Sequence, residues 1–206
     1  MEAKKKEDIK VKSLINKEDT IIYAQFLSTQ ETKCVFDSLR DALKTMTLKF
    51  IKPTSDSPKS GGLSITAFDK STRALIKVRI PVKTFEVFHM NTDEDDSSNE
   101  FCASVNVKIF ITLLKQANNT DIMTWYIHKE ETDKFVFIFE NAKNVLFNKK
   151  KIKLLNIPKE DFKIPTTEFI CKLGILSADF HKYVKDSSFS TDKIRISYFD
   201  TTDTKN

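Results

Sequence analysis

The apolar residues of "NVKIFITLLKQANNTDIMTWYI", residues 106–127, follow two rhythms. Val107, Phe110, Ile111, Leu114 and Ala117 recur at helical spacing, whereas the residues from Ile122 onward read as a strand. The pattern predicts a helix opened by Asn106 as N-cap, a turn at "NNTD", and a strand. The other side of that helix carries Lys108, Thr112 and Lys115, with no carboxylate among them.

Similar arrangements flank it. "TIIYAQFLS" (20–28) reads as a strand and "STQETKCVFDSLRDALKTM" (28–46) as a helix. Ser28 and Glu31 have capping-box spacing, and Val35, Phe36, Leu39, Ala42, Leu43 and Met46 make an apolar stripe. "LKFIKP" (48–53) predicts a strand ended by Pro53. "LSITAFDKSTRALIKVRIP" predicts a hairpin turning at 69–72, and "FEVFHM" a further strand. Beyond the acidic loop "NTDEDDSSNE" (91–100), Phe101–Val105 predicts a strand, and "IMTWYIHKE" with "DKFVFIFEN" a hairpin. A third unit opens at "EFICKLGI" (168–175). It has Ser177 as cap, Phe180, Tyr183 and Val184 on one helical side, and "DKIRISYFD" as a strand. Strand, helix and strand therefore recur three times, with helices starting roughly seventy residues apart, as in an internal repeat. Residues 148–166, with two prolines and a lysine cluster, read as an extended connector, and 1–18 as a loose charged extension.

Composition narrows the chemistry. With 206 residues, 40% hydrophobic and 31% charged, the chain can bury a core and is not globally disordered. Cys34, Cys102 and Cys171 are far apart and form no C-x-x-C pair, which argues against a disulfide framework and a zinc site. No apolar run is long enough to span a membrane, and the first residues lack the apolar stretch of a signal peptide. The expectation is a soluble intracellular protein. Three glycines cannot supply the common phosphate loops. His89, His128 and His181 lack metal-ligand spacing, and the "DEDD" of 93–96 reads as a solvated hairpin tip before it reads as a cation site. No nucleophile–base pair stands out. The expectation is a protein that is not an enzyme, with no catalytic residue, metal or cofactor.

The net charge of +5 permits a polyanionic partner without requiring one. The first helix offers Lys33, Arg40 and Lys44, with Asp37 and Asp41 among them. The second offers Lys108 and Lys115. The third offers Lys182 and Lys185, near Asp179 and Asp186. If the units share one architecture, these seven cations make a basic surface for phosphates, without sequence preference. On charge alone, ordinary solvated helix faces explain them more readily.

In order and spacing, "TKCVFDSLRDALKTM", "GLSITAFDKSTRALIKV", "ASVNVKIFITLLKQANNTDIMTW", "LLNIPKEDFK" and "LSADFHKYVKDSSFSTDKIRIS" resemble DNA sliding clamps of the proliferating cell nuclear antigen type, over about residues 20–200. The resemblance implies an α+β clamp fold, with repeated strand–helix–strand units and helices on one face of antiparallel sheets. It implies an N-terminal clamp domain at 19–147, a connector at 148–166 and a partial C-terminal domain at 167–206, after the extension 1–18. The implied function is that of a polymerase processivity factor, encircling double-stranded DNA as a homotrimeric ring and docking polymerase, clamp loader, nuclease and ligase through short peptides. The alternative is a clamp-fold scaffold or viral transcription factor that no longer encircles DNA.

Lys33, Arg40, Lys115 and Lys182 match basic inner-surface positions of that family, while Cys34 and Thr112 stand where many clamps are basic. Phe68, Leu155, Ile157 and Pro158 match its partner-peptide pocket. The ring-closing edge of the first domain is expected at 133–141, with Phe135, Phe137 and Phe139. The implied location is the nucleus, or a cytoplasmic replication site if the protein is viral. Relative to that family the chain reads as divergent and shortened at its C-terminal side. On that reading it is expected alone as a monomer or a pair through 133–141.

Overall fold

A computed structural model describes residues 15–54, 61–91, 99–141, 147–158, 168, 171–188 and 194–197. The chain divides into two units, Met1–Asp161 and Phe162–Asn206. Among the described residues the first contains nine strands: β1 (Thr20–Phe26), β2 (Thr45–Ile51), β3 (Gly62–Phe68), β4 (Leu75–Pro81), β5 (Phe85–Met90), β6 (Glu100–Asn106), β7 (Ile122–His128), β8 (Glu131–Glu140) and β9 (Phe147–Lys153). It also contains two α-helices, α1 (Thr29–Asp37) and α2 (Val107–Leu114). All strand pairs are antiparallel. One sheet has the order β5-β1-β7-β8-β9 and the other β4-β3-β2-β6.

One core cluster takes side chains from both sheets and both helices. In β2 the alternation is plain: Met46, Leu48 and Phe50 are buried, and the residues between them are half-buried. Trp125 sits at the centre. Its ring lies 4.4 Å from Phe26 of β1, 5.5 Å from Phe36 of α1, 5.3 Å from Phe110 of α2 and 5.5 Å from Phe137 of β8. Phe36 and Phe110 are themselves 5.0 Å apart, so this aromatic nest seats the two helices against each other.

Several expectations need correcting. The first helix stops at Asp37 rather than at Met46. Asp37 and Ser38 are poor helix formers, and Ser38 Oγ donates to the carbonyl of Val35 at 2.6 Å. "TMTLKFI" then pairs with both β3 and β6, and two ladders outweigh a continued helix. Leu39, Leu43 and Met46 remain buried, while Val35 is exposed.

The strand expected as a free edge is not one. β8 is paired on both sides, with β7 and β9. Phe135, Phe137 and Phe139 are core residues within 3% of full burial. On the opposite face of the same strand, Val136 and Ile138 are buried with Tyr23 and Tyr126. On that side the sheet ends, among the described residues, at β9, whose lysine run at 148–153 reads as connector. Lysines are common on edge strands because they discourage further pairing. The stretch expected as connector from 148 therefore belongs to the sheet as far as Lys153.

The last residues of the N-terminal extension are also fixed in place. Lys17–Asp19 form a 3-10 turn, Ile15 packs against the Tyr23 cluster, and Asn91 Nδ2 donates to the carbonyls of Lys17 and Thr20. Residues 1–14 and the "DEDD" of 93–96 lie outside the described residues.

The second unit has one described helix, α3 (Ser177–Ser187), on which Phe180, Tyr183 and Val184 are exposed. Ser177 is its first residue rather than its cap, which is Leu176. The described parts of the two strands expected beside it, 171–175 and 194–197, form no regular element. No ladder partner for them occurs among the described residues, and a lone strand leaves its backbone groups unpaired.

Candidate nucleic-acid interface

Both α1 and α2 are opened by a side-chain cap. Ser28 Oγ accepts from the N–H of Glu31 at 3.2 Å, and Asn106 Oδ1 accepts from Ile109 at 3.1 Å. On α2, burial of Val107, Phe110, Ile111 and Leu114 leaves Lys108, Thr112 and Lys115 exposed, as the periodicity predicts. Leu113 is buried as well, and Ile109 lies exposed at 56% beside the lysines.

The carboxylate absent from α2 comes from α1. Arg40 Nη2 donates to both Asp37 oxygens at 2.7 Å, and Lys115 Nζ stands 3.2 Å from Asp37 Oδ1. The hydrogen bond from Lys115, with the charge of Arg40, holds the Asp37 carboxyl below its usual range. Lys33 is engaged too. Its Nζ donates to the carbonyl of Ala117 at 2.8 Å and to Asn119 Oδ1 at 3.1 Å. The turn that receives it is organised by buried Asp121, which accepts from the backbone N–H of Asn118 at 2.8 Å. The Asp121 carbonyl in turn accepts from Thr29 Oγ1 at 2.6 Å.

Lys44 joins the group through the backbone, its carbonyl accepting from the N–H of Val107 at 3.1 Å. Lys44 and Lys108 are exposed and carry no ion pair among the described residues. Lys70, which the sequence pattern did not single out, arrives from the β3–β4 turn, with Nζ 3.5 Å from the carbonyl of Arg40. That turn is rigid because Asp69 accepts from the backbone N–H of Arg73 at 2.7 Å and of Ala74 at 2.8 Å. Its carboxyl is held at about 2, chiefly by the hydroxyl of Ser71. The structure thus gathers Lys33, Arg40, Lys44, Lys108 and Lys115 around one helix pair and adds Lys70. Lys182 and Lys185 are exposed on α3 of the other unit.

Of the expected peptide-pocket residues, Phe68 lies in the β4-β3-β2-β6 sheet and Leu155 is tied to it by a single bridge. After β9 the chain crosses to β6, where Leu155 donates its N–H to the carbonyl of Ser104 at 2.8 Å. Phe68 ends β3, with β2 standing between β3 and β6. Phe68 is 45% and Leu155 39% exposed, Ile157 is half-buried and Pro158 exposed. Phe68 and Leu155 are thus exposed apolar residues on opposite sides of β2.

Among known proteins, the family model described as "Proliferating cell nuclear antigen, N-terminal domain" matches residues 21–162. The chain is similar to the proliferating cell nuclear antigen of Saccharomyces cerevisiae, with 23% identity over 176 residues, covering 85% of this chain and 62% of the relative. It is also similar to that of Dictyostelium discoideum, with 25% identity over 174 residues, covering 84% and 62%. The crystal structure of the proliferating cellular nuclear antigen from Entamoeba histolytica matches with a TM-score of 0.65 at 19% identity. That match covers 82% of this chain and 62% of the other. The chain therefore spans less than two thirds of the length of these relatives.

Proposed function

This chain belongs to the proliferating cell nuclear antigen family, and from that premise we propose that it is a sliding-clamp subunit that confers processivity on a DNA polymerase. The observation that carries the proposal is the cluster of cations along α1 and α2, on helices whose apolar sides are committed to the core. Cations held on a rigid scaffold attract phosphates of any sequence, as a protein that travels along duplex DNA requires. Lys182 and Lys185 supply the same chemistry from the second unit. The protein binds and docks; it performs no catalysis of its own.

On this reading Phe68, Leu155, Ile157 and Pro158 are the residues that take short peptides from polymerase, clamp loader, nuclease and ligase. Edge-to-edge pairing with a second copy runs through β9, the terminal strand of its sheet among the described residues, since β8 is paired on both sides. The site of action is the nucleus, or a cytoplasmic replication site for a viral protein.

The test is topological. The protein is threaded onto long linear duplex, and both ends are then blocked with streptavidin. An encircling clamp stays through a high-salt wash and leaves when the DNA is cut. Loss in the wash with both ends blocked would favour the alternative, a clamp-fold scaffold or transcription factor that no longer encircles DNA. The ties on Lys33, Arg40 and Lys115 lend that alternative its weight, because they reduce the charge available to phosphate.

A further inference from the structure

Asp37 is the last residue of α1, where the helix dipole favours a cation and disfavours an acid. No basic residue occupies that last turn. An acid placed against local preference, on the surface where positive charge is collected, calls for a reason outside the helix. Its contacts supply one. Asp37 is shared between Arg40, from the turn after α1, and Lys115, from the end of α2. All three side chains are between 41% and 49% exposed, so a phosphate can reach either cation once the carboxylate releases it.

We propose that Asp37 is a built-in counter-ion that competes with DNA phosphates for Arg40 and Lys115, weakening the grip of the clamp so that it slides. A cation already paired releases fewer bound ions from DNA when it meets a phosphate, so it adds less to affinity and less to the salt dependence. Exchange between carboxylate and phosphate keeps each contact brief, and brief contacts permit movement along the helix. This inference rests on the reading that the α1–α2 side faces DNA.

The experiment compares the whole chain with Asp37→Asn and Asp41→Asn in binding to a random-sequence duplex between 50 and 300 mM salt. Asp41 is exposed, lies four residues away and has no ion pair among the described residues, so its substitution removes the same charge without freeing a cation. Asp37→Asn should bind tighter, by about tenfold at 0.1 M salt for each cation released, with the slope steeper by about 0.9 per new phosphate contact. Asp41→Asn should show a smaller gain and an unchanged slope. Thermal melting of each variant confirms that it is folded.

If the wild type binds DNA and Asp37→Asn binds equally or more weakly, Asp37 is not a brake, and the DNA-facing reading survives. Equal gains from the two variants would make the effect one of general charge and overturn the proposal. If no form binds duplex DNA at 50 mM salt, the DNA-facing reading fails and takes this inference with it.

Discussion

The orientation of α2 decides whether its lysines face outward, and two adjacent residues test it. Phe110 is fully buried, with ring neighbours at 5.0 Å (Phe36), 5.3 Å (Trp125) and 5.6 Å (Phe137). Ile109, the residue before it, is 56% exposed. Phe110→Ala removes a buried ring that meets rings from three elements, α1, β7 and β8, and such truncations cost about 3–5 kcal/mol once the cavity is included. That is a large fraction of the roughly 5–15 kcal/mol that holds an ordinary domain together. Ile109→Ala removes more atoms than a conservative core change would, yet it should stay within about 0.5 kcal/mol, because those atoms already meet water. The assay is urea unfolding followed by the fluorescence of Trp125, the single tryptophan of the chain. With a slope near 2 kcal/mol per molar urea, Phe110→Ala should lower the midpoint by about 2 M and Ile109→Ala by a few tenths at most. Equal losses from the two variants would mean that α2 is rotated relative to the core. Lys108 and Lys115 would then have no assured place on the outer side, and the nucleic-acid reading would lose its basis.

Lys44→Gln with Lys108→Gln should flatten the salt slope of duplex binding by up to about 1.8, since both cations are unpaired among the described residues. Lys33→Gln should instead lower stability with little change of slope, because its ammonium ties α1 to the Ala117 carbonyl; a slope change as large as that of Lys108→Gln would contradict this. Leu155→Ala and Ile157→Ala should each weaken an aromatic-anchored peptide by more than about 1 kcal/mol in calorimetry if they are contact hot spots, and unchanged affinity would remove the pocket assignment. Glu131, hydrogen-bonded by Lys134 and Lys151 and held at about 2 against an ordinary 4.5, anchors β9 to β8. Its folded value is depressed, so its contribution is complete above pH 4.5 and is lost as pH falls toward 2. The melting temperatures of wild type and Glu131→Gln should therefore differ at pH 6 and converge near pH 2.

Much of the fold was legible because the strands of the first unit alternate and its helices are short and amphipathic. The limits of β1, β3, β4, β5 and β7 follow closely from patterning and turn residues. The errors share one physical source, the pairing of one strand with another. Residues 38–46 keep helical spacing, and only the demand of β6 for a partner draws Thr45–Thr47 into the strand that begins in the pattern at Leu48. In β9, Lys149, Lys150 and Lys151 read as solvated connector, although a strand bonded along one side holds lysines comfortably. The Phe-rich run of β8 reads as an edge for the complementary reason. A strand buried on both faces and a sticky edge have the same composition, and only the presence of β9 separates them.

The candidate site shows where composition stops informing chemistry. Counting charges on helix faces finds Lys33, Arg40 and Lys115 and assigns them equal weight. The structure does not: Lys33 is spent on a carbonyl, Arg40 and Lys115 share one carboxylate, and Lys44 and Lys108 stay unpaired among the described residues. The spacing of Asp37 and Arg40 already allowed one pair within the chain segment. The second pair, Asp37 with Lys115, joins residues far apart in sequence and arises because Phe36 and Phe110 bring α1 and α2 together over Trp125. The same aromatic contacts that stabilise the core thereby set how much of the basic surface is free to act. A helix reads as cationic in sequence when its acid is carried by its neighbour, and α2 is such a helix.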